Sequence, residues 1–260
     1  MMNNKSPLRY PGGKTRACKY LDNVFIKYFN VSKIKTITSP FFGGGSFEFY
    51  LQNKYNFMIE ANDKFTPLYH FWNQAKINKI ELCDKIEKLM GVSKEQFYTY
   101  RSLIMEESSL TQAIYYFIIN RCSFSGATLS GGFSKQASIN RFTQSSIDRI
   151  RKLNLDNINF YNLDFVDFFS KIENNNVMFL DPPYYLEKKS KLYGNNGNLH
   201  KSFDHKKLHT LLSTRDRWIM TYNDCDYIRI LYKDYIIIDL KWSYGMNKSK
   251  NSSEIVIINP

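Results

Sequence analysis

The sequence predicts an α/β protein: a mostly parallel sheet with helices on both faces, carrying an inserted helical subdomain. Seven short runs of β-branched and aromatic residues, at 34–38, 57–61, 158–161, 177–180, 218–221, 235–240 and 255–258, have the length and composition of buried strands. Helical spacing of apolar residues fills most of the intervals, at 15–27, 47–52, 67–76, 165–170, 205–213 and 226–231. Strands that alternate with helices are joined by crossovers, which makes neighbours parallel and covers both sheet faces. The third observation is a break in the alternation. From Pro67 to Leu155 every pattern is helical, at 80–90, 96–105, 112–120 and 145–152, with Ser93 and Gln96 at capping-box spacing ahead of the second. Residues 1–66 and 156–260 are therefore assigned to one α/β domain, and 67–155 to the insert. Within the insert, the stretch 120–143 is rich in Gly, Ser and aromatics and too long for a simple connector.

The composition supports a packed protein. At 260 residues, 43% hydrophobic and 16% aromatic, the chain has ample material for a core and does not fit disordered, collagen-like or disulfide-scaffold classes. Its longest apolar run, 113–119, is far short of a bilayer span, and the start lacks a signal-peptide core, so a soluble intracellular protein is expected. Cys18, Cys83, Cys122 and Cys225 are scattered without a CxxC pair, so neither zinc nor disulfides are expected.

The net charge of +12 is uneven: +6 over residues 1–66, +5 over 67–154 and +1 over 155–260. A polyanion such as nucleic acid would select this, because Lys and Arg contacts to phosphates release counterions. A basic chain from an AT-rich genome, with its charges merely solvated, would look the same. Charge alone leaves both open.

Asp181, Pro182, Pro183 and Tyr184 follow the apolar run 177–180, at the carboxyl end of a predicted central strand, where open α/β sheets place their sites. This turn suits methylation of an exocyclic amine. The Asp181 carboxylate and the Pro182 carbonyl can each accept a hydrogen bond from an NH2 group and draw its nitrogen toward a tetrahedral shape. The prolines stiffen the turn, and Tyr184 offers a face on which a flipped base stacks. A plain strand-ending turn is the alternative. Pro40 to Ser46, PFFGGGS, occupies the first strand-to-helix turn, where glycines let a ligand approach the backbone; the spacing is not that of a dinucleotide fingerprint. Asp63 ends the next strand about 20 residues on, positioned to bond a ribose diol or to cap a helix. Asp164 either faces an adenine edge or caps the following helix. Gly12-Gly13-Lys14-Thr15 is no P-loop, because the first glycine would fall at Leu8 and no strand precedes it; Arg9 to Lys14 reads instead as a rigid basic turn near an anionic ligand. In the insert, Asn120, Arg121, Lys135, Arg141, Arg149, Arg151 and Lys152 interleave with Phe124, Phe133 and Phe142, a texture suited to gripping phosphates and wedging a base step, with some of the aromatics serving the core.

In this order, RYPGGK, PFFGGGS, AND, a helical insert, NLDF and DPPY resemble the DNA adenine N6-methyltransferase (Dam) family, the D12-class amino-methyltransferases of the α arrangement. The resemblance implies a Rossmann-like, S-adenosylmethionine-dependent methyltransferase sheet of roughly seven strands whose last pair is antiparallel. It implies that Tyr10, Lys14, Asp63 and Asp181 contact S-adenosylmethionine, with Phe42, Gly43 and Gly45 forming the first turn and Asp164 nearby, and that no metal is needed. Asp181 to Tyr184 would then hold the target adenine. The insert falls at the family's target-recognition domain for duplex DNA, with Arg9, Asn120, Arg121, Lys135 and Arg141 as DNA contacts, and residues 186–202 fall at its substrate loop. A restriction endonuclease partner, viral genome marking and housekeeping are all compatible with these residues, and a monomer or weak dimer is expected.

The chain departs from the family pattern at three places. Ser39 stands where the commoner first motif has an acid before Pro-Phe, and Tyr10 stands for a Trp. The run Asn120 to Ala127 lacks the Asn before glycine and the downstream Arg of relatives that read GATC, so that site is not carried over. The rival readings are the same chemistry on cytosine N4, RNA adenine or a protein glutamine amide, and an inactive DNA-binding homologue.

Overall fold

The computed structural model describes residues 3–10, 12–185, 203–240 and 254–260. The expected substrate loop, 186–202, lies outside them. Seven strands form one sheet: β1 (Thr36–Ser39), β2 (Met58–Asn62), β3 (Ile158–Tyr161), β4 (Val177–Leu180), β5 (Trp218–Asn223), β6 (Ile236–Leu240) and β7 (Glu254–Asn259), in the order β3-β2-β1-β4-β5-β7-β6. The first five are parallel and β7 enters antiparallel between β5 and β6. This is the Rossmann-like methyltransferase sheet that the resemblance implies, with its antiparallel ending. The order reverses between β1 and β4, and such a reversal opens a crevice at the carboxyl ends of the two strands, because their following loops diverge.

All four residues of β4 are buried. Val177 and Phe179 enter the larger core cluster on one face, while Met178 and Leu180 enter a second cluster on the other face with Trp218, Met220 and Tyr222 of β5. A strand with period-two side chains can be apolar throughout only if both faces are covered. Helices α1 (Cys18–Tyr28) and α2 (Ser46–Tyr55) supply apolar residues to the larger cluster; α9 (Phe165–Lys171), α10 (His205–Leu212) and α11 (Asp226–Leu231) supply the second.

Between β2 and β3 lie α3 (Thr66–Ile77), α4 (Lys79–Lys88), α5 (Lys94–Leu103), α6 (Ser109–Cys122), α7 (Lys135–Asn140) and α8 (Gln144–Arg151). Ten of the fourteen residues of α6 are buried, which puts it at the centre of this helical segment. The capping box ahead of α5 forms in both directions: the Ser93 amide donates to Gln96 Oε1 at 2.9 Å, and the Gln96 amide donates to Ser93 Oγ at 3.2 Å. Segment and sheet share one hydrophobic core. Trp72 of α3 makes the join: its ring stacks on Phe160 of β3 at 6.1 Å, and its indole N–H donates to the Gly43 carbonyl at 2.9 Å.

Two local differences from the sequence expectation have simple causes. β1 begins at Thr36 instead of 34, because Asn30 caps a single 3-10 turn over Val31–Lys33. The stretch 120–143 contains α7, too short to give a helical pattern and started by Ser134, whose hydroxyl accepts from the Ala137 amide. The same stretch is closed by an antiparallel bridge between Ser123 and Phe133. No helix among the described residues is long and apolar enough to cross a membrane.

Replacing Trp72 by Ala removes a fully buried ring at the join. It should cost about 3–5 kcal/mol in equilibrium urea unfolding, and a loss below 1 kcal/mol would show that the two parts do not depend on this contact.

Candidate active site

The turns that follow β1 and β4 meet in one cavity of about 500 Å³, a volume typical of small-molecule sites. Tyr10, Lys14, Phe42, Gly43, Gly45, Asp63, Asp164 and Asp181 all line it, with Pro182, Pro183 and Tyr184. Residues far apart in sequence converge because the chain's first turn, the loop after β1 and the loop after β4 all face the crevice.

At the β4 end, Lys14 is buried in a one-turn 3-10 helix and its Nζ lies 2.9 Å from both oxygens of Asp181 and 2.9 Å from the Gly12 carbonyl. Thr221 of β5 donates its hydroxyl to Asp181 Oδ1 at 2.7 Å. The carboxylate is thereby aimed from two sides, and a lone pair is left over, since a carboxylate has about four acceptor positions. Lys14 Nζ also lies 5.1 Å from the centre of the Tyr184 ring, and Tyr184 stacks on Tyr222 of β5 with centroids 5.8 Å apart.

At the β1 end, Gly43 has φ +51°, and a Cβ there would lie 2.9 Å from the Tyr10 ring. Gly45, at φ +65°, starts α2, and a Cβ there would lie 2.4 Å from the Phe42 ring. The Phe42 ring turns into the core against Phe49, Trp72 and Phe160, so it shapes the glycine turn from beneath. Asp63 accepts from the Gly43 amide at 3.0 Å and the Phe65 amide at 2.9 Å. Burial nevertheless raises its carboxyl to about 6, because the two backbone donors only partly offset the desolvation.

Asp164 caps α9 through the Val166 amide at 3.0 Å and pairs with Lys64 at 2.7 Å. Burial pushes its carboxyl up, but these partners outweigh it and hold it below its ordinary value. It lines the cavity while capping, so its two candidate roles are compatible. Sequence reasoning did not assign Phe41, Phe165 and Phe203 to the site; they form an aromatic wall, with Phe41 5.8 Å from Phe165 and 5.5 Å from Phe203. Thr221 and Glu48 were missed too. Ser39 donates its hydroxyl to Glu48 of α2 at 2.6 Å, so a carboxyl lies beside the position before Pro-Phe.

The model of the D12 class N6 adenine-specific DNA methyltransferase family matches residues 10–246. The chain belongs to this family. No curated protein matches the chain. The matched span takes in the cavity and the whole helical segment, so the D12 family's motif order and the observed sheet order describe the same molecule.

The residues of this D12 methyltransferase expected to touch DNA divide into two kinds. Asn120 and Arg121 are buried. Asn120 clasps the backbone of Arg9, accepting from its amide at 2.8 Å and donating to its carbonyl at 2.7 Å; Arg121 donates to the carbonyls of Arg141 at 2.6 Å and Pro7 at 3.1 Å. Both hold the N-terminal strap against the helices instead of facing outward. Lys135 and Arg141 are exposed, and Arg9 is half-buried with Nη1 donating to the Ser123 carbonyl at 3.0 Å. Burial, then the neighbouring charges of Arg9, Arg149 and Arg141, lower Arg121 to about 10. No ion pair among the described residues includes Arg9, Arg121, Arg141 or Arg149, whereas Arg151 is taken up by Asp84, Glu87 and Asp148. Of the three aromatics, Phe142 is core and Phe133 packs on Phe97, while Phe124 is 71% exposed.

Replacing Asn120 by Ala leaves the Arg9 amide and carbonyl without their partners. The change should cost about 1–3 kcal/mol and speed hydrogen exchange at the Arg9 amide; unaltered exchange there would dismiss the clasp.

Proposed function

We propose that the protein transfers a methyl group from S-adenosylmethionine to N6 of an adenine swung out of duplex DNA. The observation that carries this reading is the convergence of Asp181 to Tyr184 with Asp63, Lys14 and the glycine turn in one cavity. Members of the family use this cofactor, and the lining fits it: Asp63 offers both carboxylate oxygens to a diol beside the glycine turn, and Phe41, Phe165 and Phe203 offer an apolar wall to a purine. When bound, the cofactor supplies an already activated methyl group, so the protein contributes positioning and electrostatics.

The remaining lone pair of Asp181 and the Pro182 carbonyl accept the two N–H bonds of the adenine amine and turn its nitrogen lone pair toward the methyl group; as the N–C bond forms, the sulfonium–methyl bond breaks to leave a thioether, and the N6 proton passes to Asp181 or to water. Lys14 and Thr221 hold Asp181 in that orientation and compensate its charge. Tyr184, backed by Tyr222, stacks on the base. The helical segment 67–155 acts as the target-recognition part. Arg9, Lys135, Arg141 and Arg149 contact phosphates, Phe124 enters the base stack, and Asn120 and Arg121 hold the framework behind them. That no ion pair among the described residues takes up these arginines supports this assignment, because their mutual repulsion is relieved by a polyanion.

The direct test is incubation of unmethylated DNA with labelled cofactor, followed by digestion to nucleosides. Label is expected in N6-methyladenine; label in cytosine, or transfer only to RNA or protein, overturns the reading. Asp181→Ala should lower the rate about a hundredfold or more; it also leaves the buried Lys14 ammonium without its carboxylate and should lower the unfolding temperature, so the rate is compared well below the variant's own transition.

Asp63 gives a pH test. Its raised carboxyl, at about 6, is protonated below that pH and is then a weaker acceptor for a diol, since it has lost its charge and one oxygen carries the proton; Tyr116, buried near it, is pushed far up and stays neutral. Affinity for 5′-methylthioadenosine should therefore rise with pH through about 6 and level off above it. Stability moves oppositely, since ionising a group whose folded value lies above its unfolded one costs folding free energy as pH rises from about 4 to 6. Titration calorimetry from pH 5 to 7 checks the first effect, and Asp63→Asn should abolish the step.

A further inference from the structure

Glu48 is a fully buried acid that the scheme above leaves unused. It sits in the first turn of α2, 2% exposed, and lines the same cavity as Lys14 and Asp181. Among the described residues its carboxyl has one side-chain bond, from the Ser39 hydroxyl to Oε1 at 2.6 Å. Lys14, the nearby cation, is committed to Asp181 and the Gly12 carbonyl. An acid buried with so little compensation is costly to ionise, and burial, reinforced by Asp181, raises it to about 8 against the smaller lowering effects of Ser39, the helix backbone and Lys14. Cys18 also faces it, but burial and Glu48 push that thiol up to about 12, so it stays neutral.

The position of Glu48 in the cavity says what could compensate it. Asp63 and the aromatic wall mark the nucleoside end, and Asp181 marks the reacting centre. Asp63 bonds the Gly43 and Phe65 amides, whereas Glu48 lies near enough to Asp181 and Lys14 to feel their charges, so a ligand with its ribose at Asp63 reaches Glu48 only with the end that extends beyond the nucleoside toward Asp181 and Lys14. For a sulfonium nucleoside of the amino-acid kind, that end bears an α-ammonium group.

We propose that Glu48 receives the α-ammonium group of the cofactor, an assignment that rests on the cofactor reading above. The carboxyl is neutral in the free protein near pH 7 and ionises as the ammonium enters. The proton leaves to solvent, and the resulting anion lies at the positive end of α2. Recognition of the amino-acid end is thereby coupled to release of a proton.

The test is titration calorimetry at pH 7 in two buffers of different ionisation enthalpy, on the full chain and on Glu48→Gln. The probes are S-adenosylhomocysteine, which has the amino-acid end, and 5′-methylthioadenosine, which lacks it. The wild type should release close to one proton per S-adenosylhomocysteine and close to none per methylthioadenosine. Glu48→Gln keeps the Ser39 bond and copies the neutral acid, so it should fold and bind methylthioadenosine as the wild type does. It should release no proton with S-adenosylhomocysteine and bind it about 10- to 100-fold more weakly, as for loss of a charge-assisted bond. Equal affinity and equal proton release in both proteins, with methylthioadenosine still bound, overturns the assignment and leaves the cofactor reading standing. Failure of the wild type to bind either nucleoside overturns both.

Discussion

The ion pair between Lys14 and Asp181 joins the first turn of the chain to the end of the central strand, and the rest of the site is arranged around it. The Lys14 side chain is 3% exposed and that of Asp181 26%. Charges held this deep are tolerated only when geometry and neighbouring bonds compensate their desolvation. Here the Gly12 carbonyl and the Thr221 hydroxyl complete the set. The pair requires the N-terminal strap to lie across the sheet, and the strap is held there by further contacts: Asn4 to Gln52 and the Asn154 backbone, Arg9 to Asn120, and Pro7 to Arg121. Sheet, helical segment and strap are therefore one mechanical unit around the cavity.

The hydrophobic core obeys the same geometry. Phe42 occupies the underside of the glycine turn and Trp72 both packs on it and bonds its carbonyl, so the backbone that forms the cavity wall rests on aromatic rings from two parts of the chain. At the glycine turn the wall contains little side chain of its own. Its shape comes from positive φ angles and from rings too close for any Cβ. A binding surface made of backbone is rigid and close to its ligand, which suits a reaction whose catalysis is mostly positioning.

The positive charge of the sequence is spent unevenly on structure. Arg121 and Arg151 are structural, one bonded to backbone carbonyls and the other to three carboxylates. Arg9, Arg141 and Arg149 lie around the buried Arg121, and no ion pair among the described residues includes them, which is the distribution expected beside a polyanion.

The sheet, the helical interruption and the two turns that line the cavity were legible in the chain alone, because strand and helix periodicity and the placement of Gly, Pro and Asp are local properties. DPPY and PFFGGGS stood out as candidates because open α/β sheets concentrate function at strand ends. Which charges face outward, by contrast, was settled by the folded arrangement. Asn120 and Arg121 look like surface DNA contacts in sequence and are buried clasps in space, and nothing local distinguishes them, since their partners lie more than 100 residues away at Pro7 and Arg9. Glu48 was invisible for a related reason: on a helix of ordinary pattern, its surroundings depend on Ser39, Lys14 and Asp181 being brought around it by the parallel pairing of β1 with β4. Long-range electrostatics follow distances in space, and those exist only once the chain has folded.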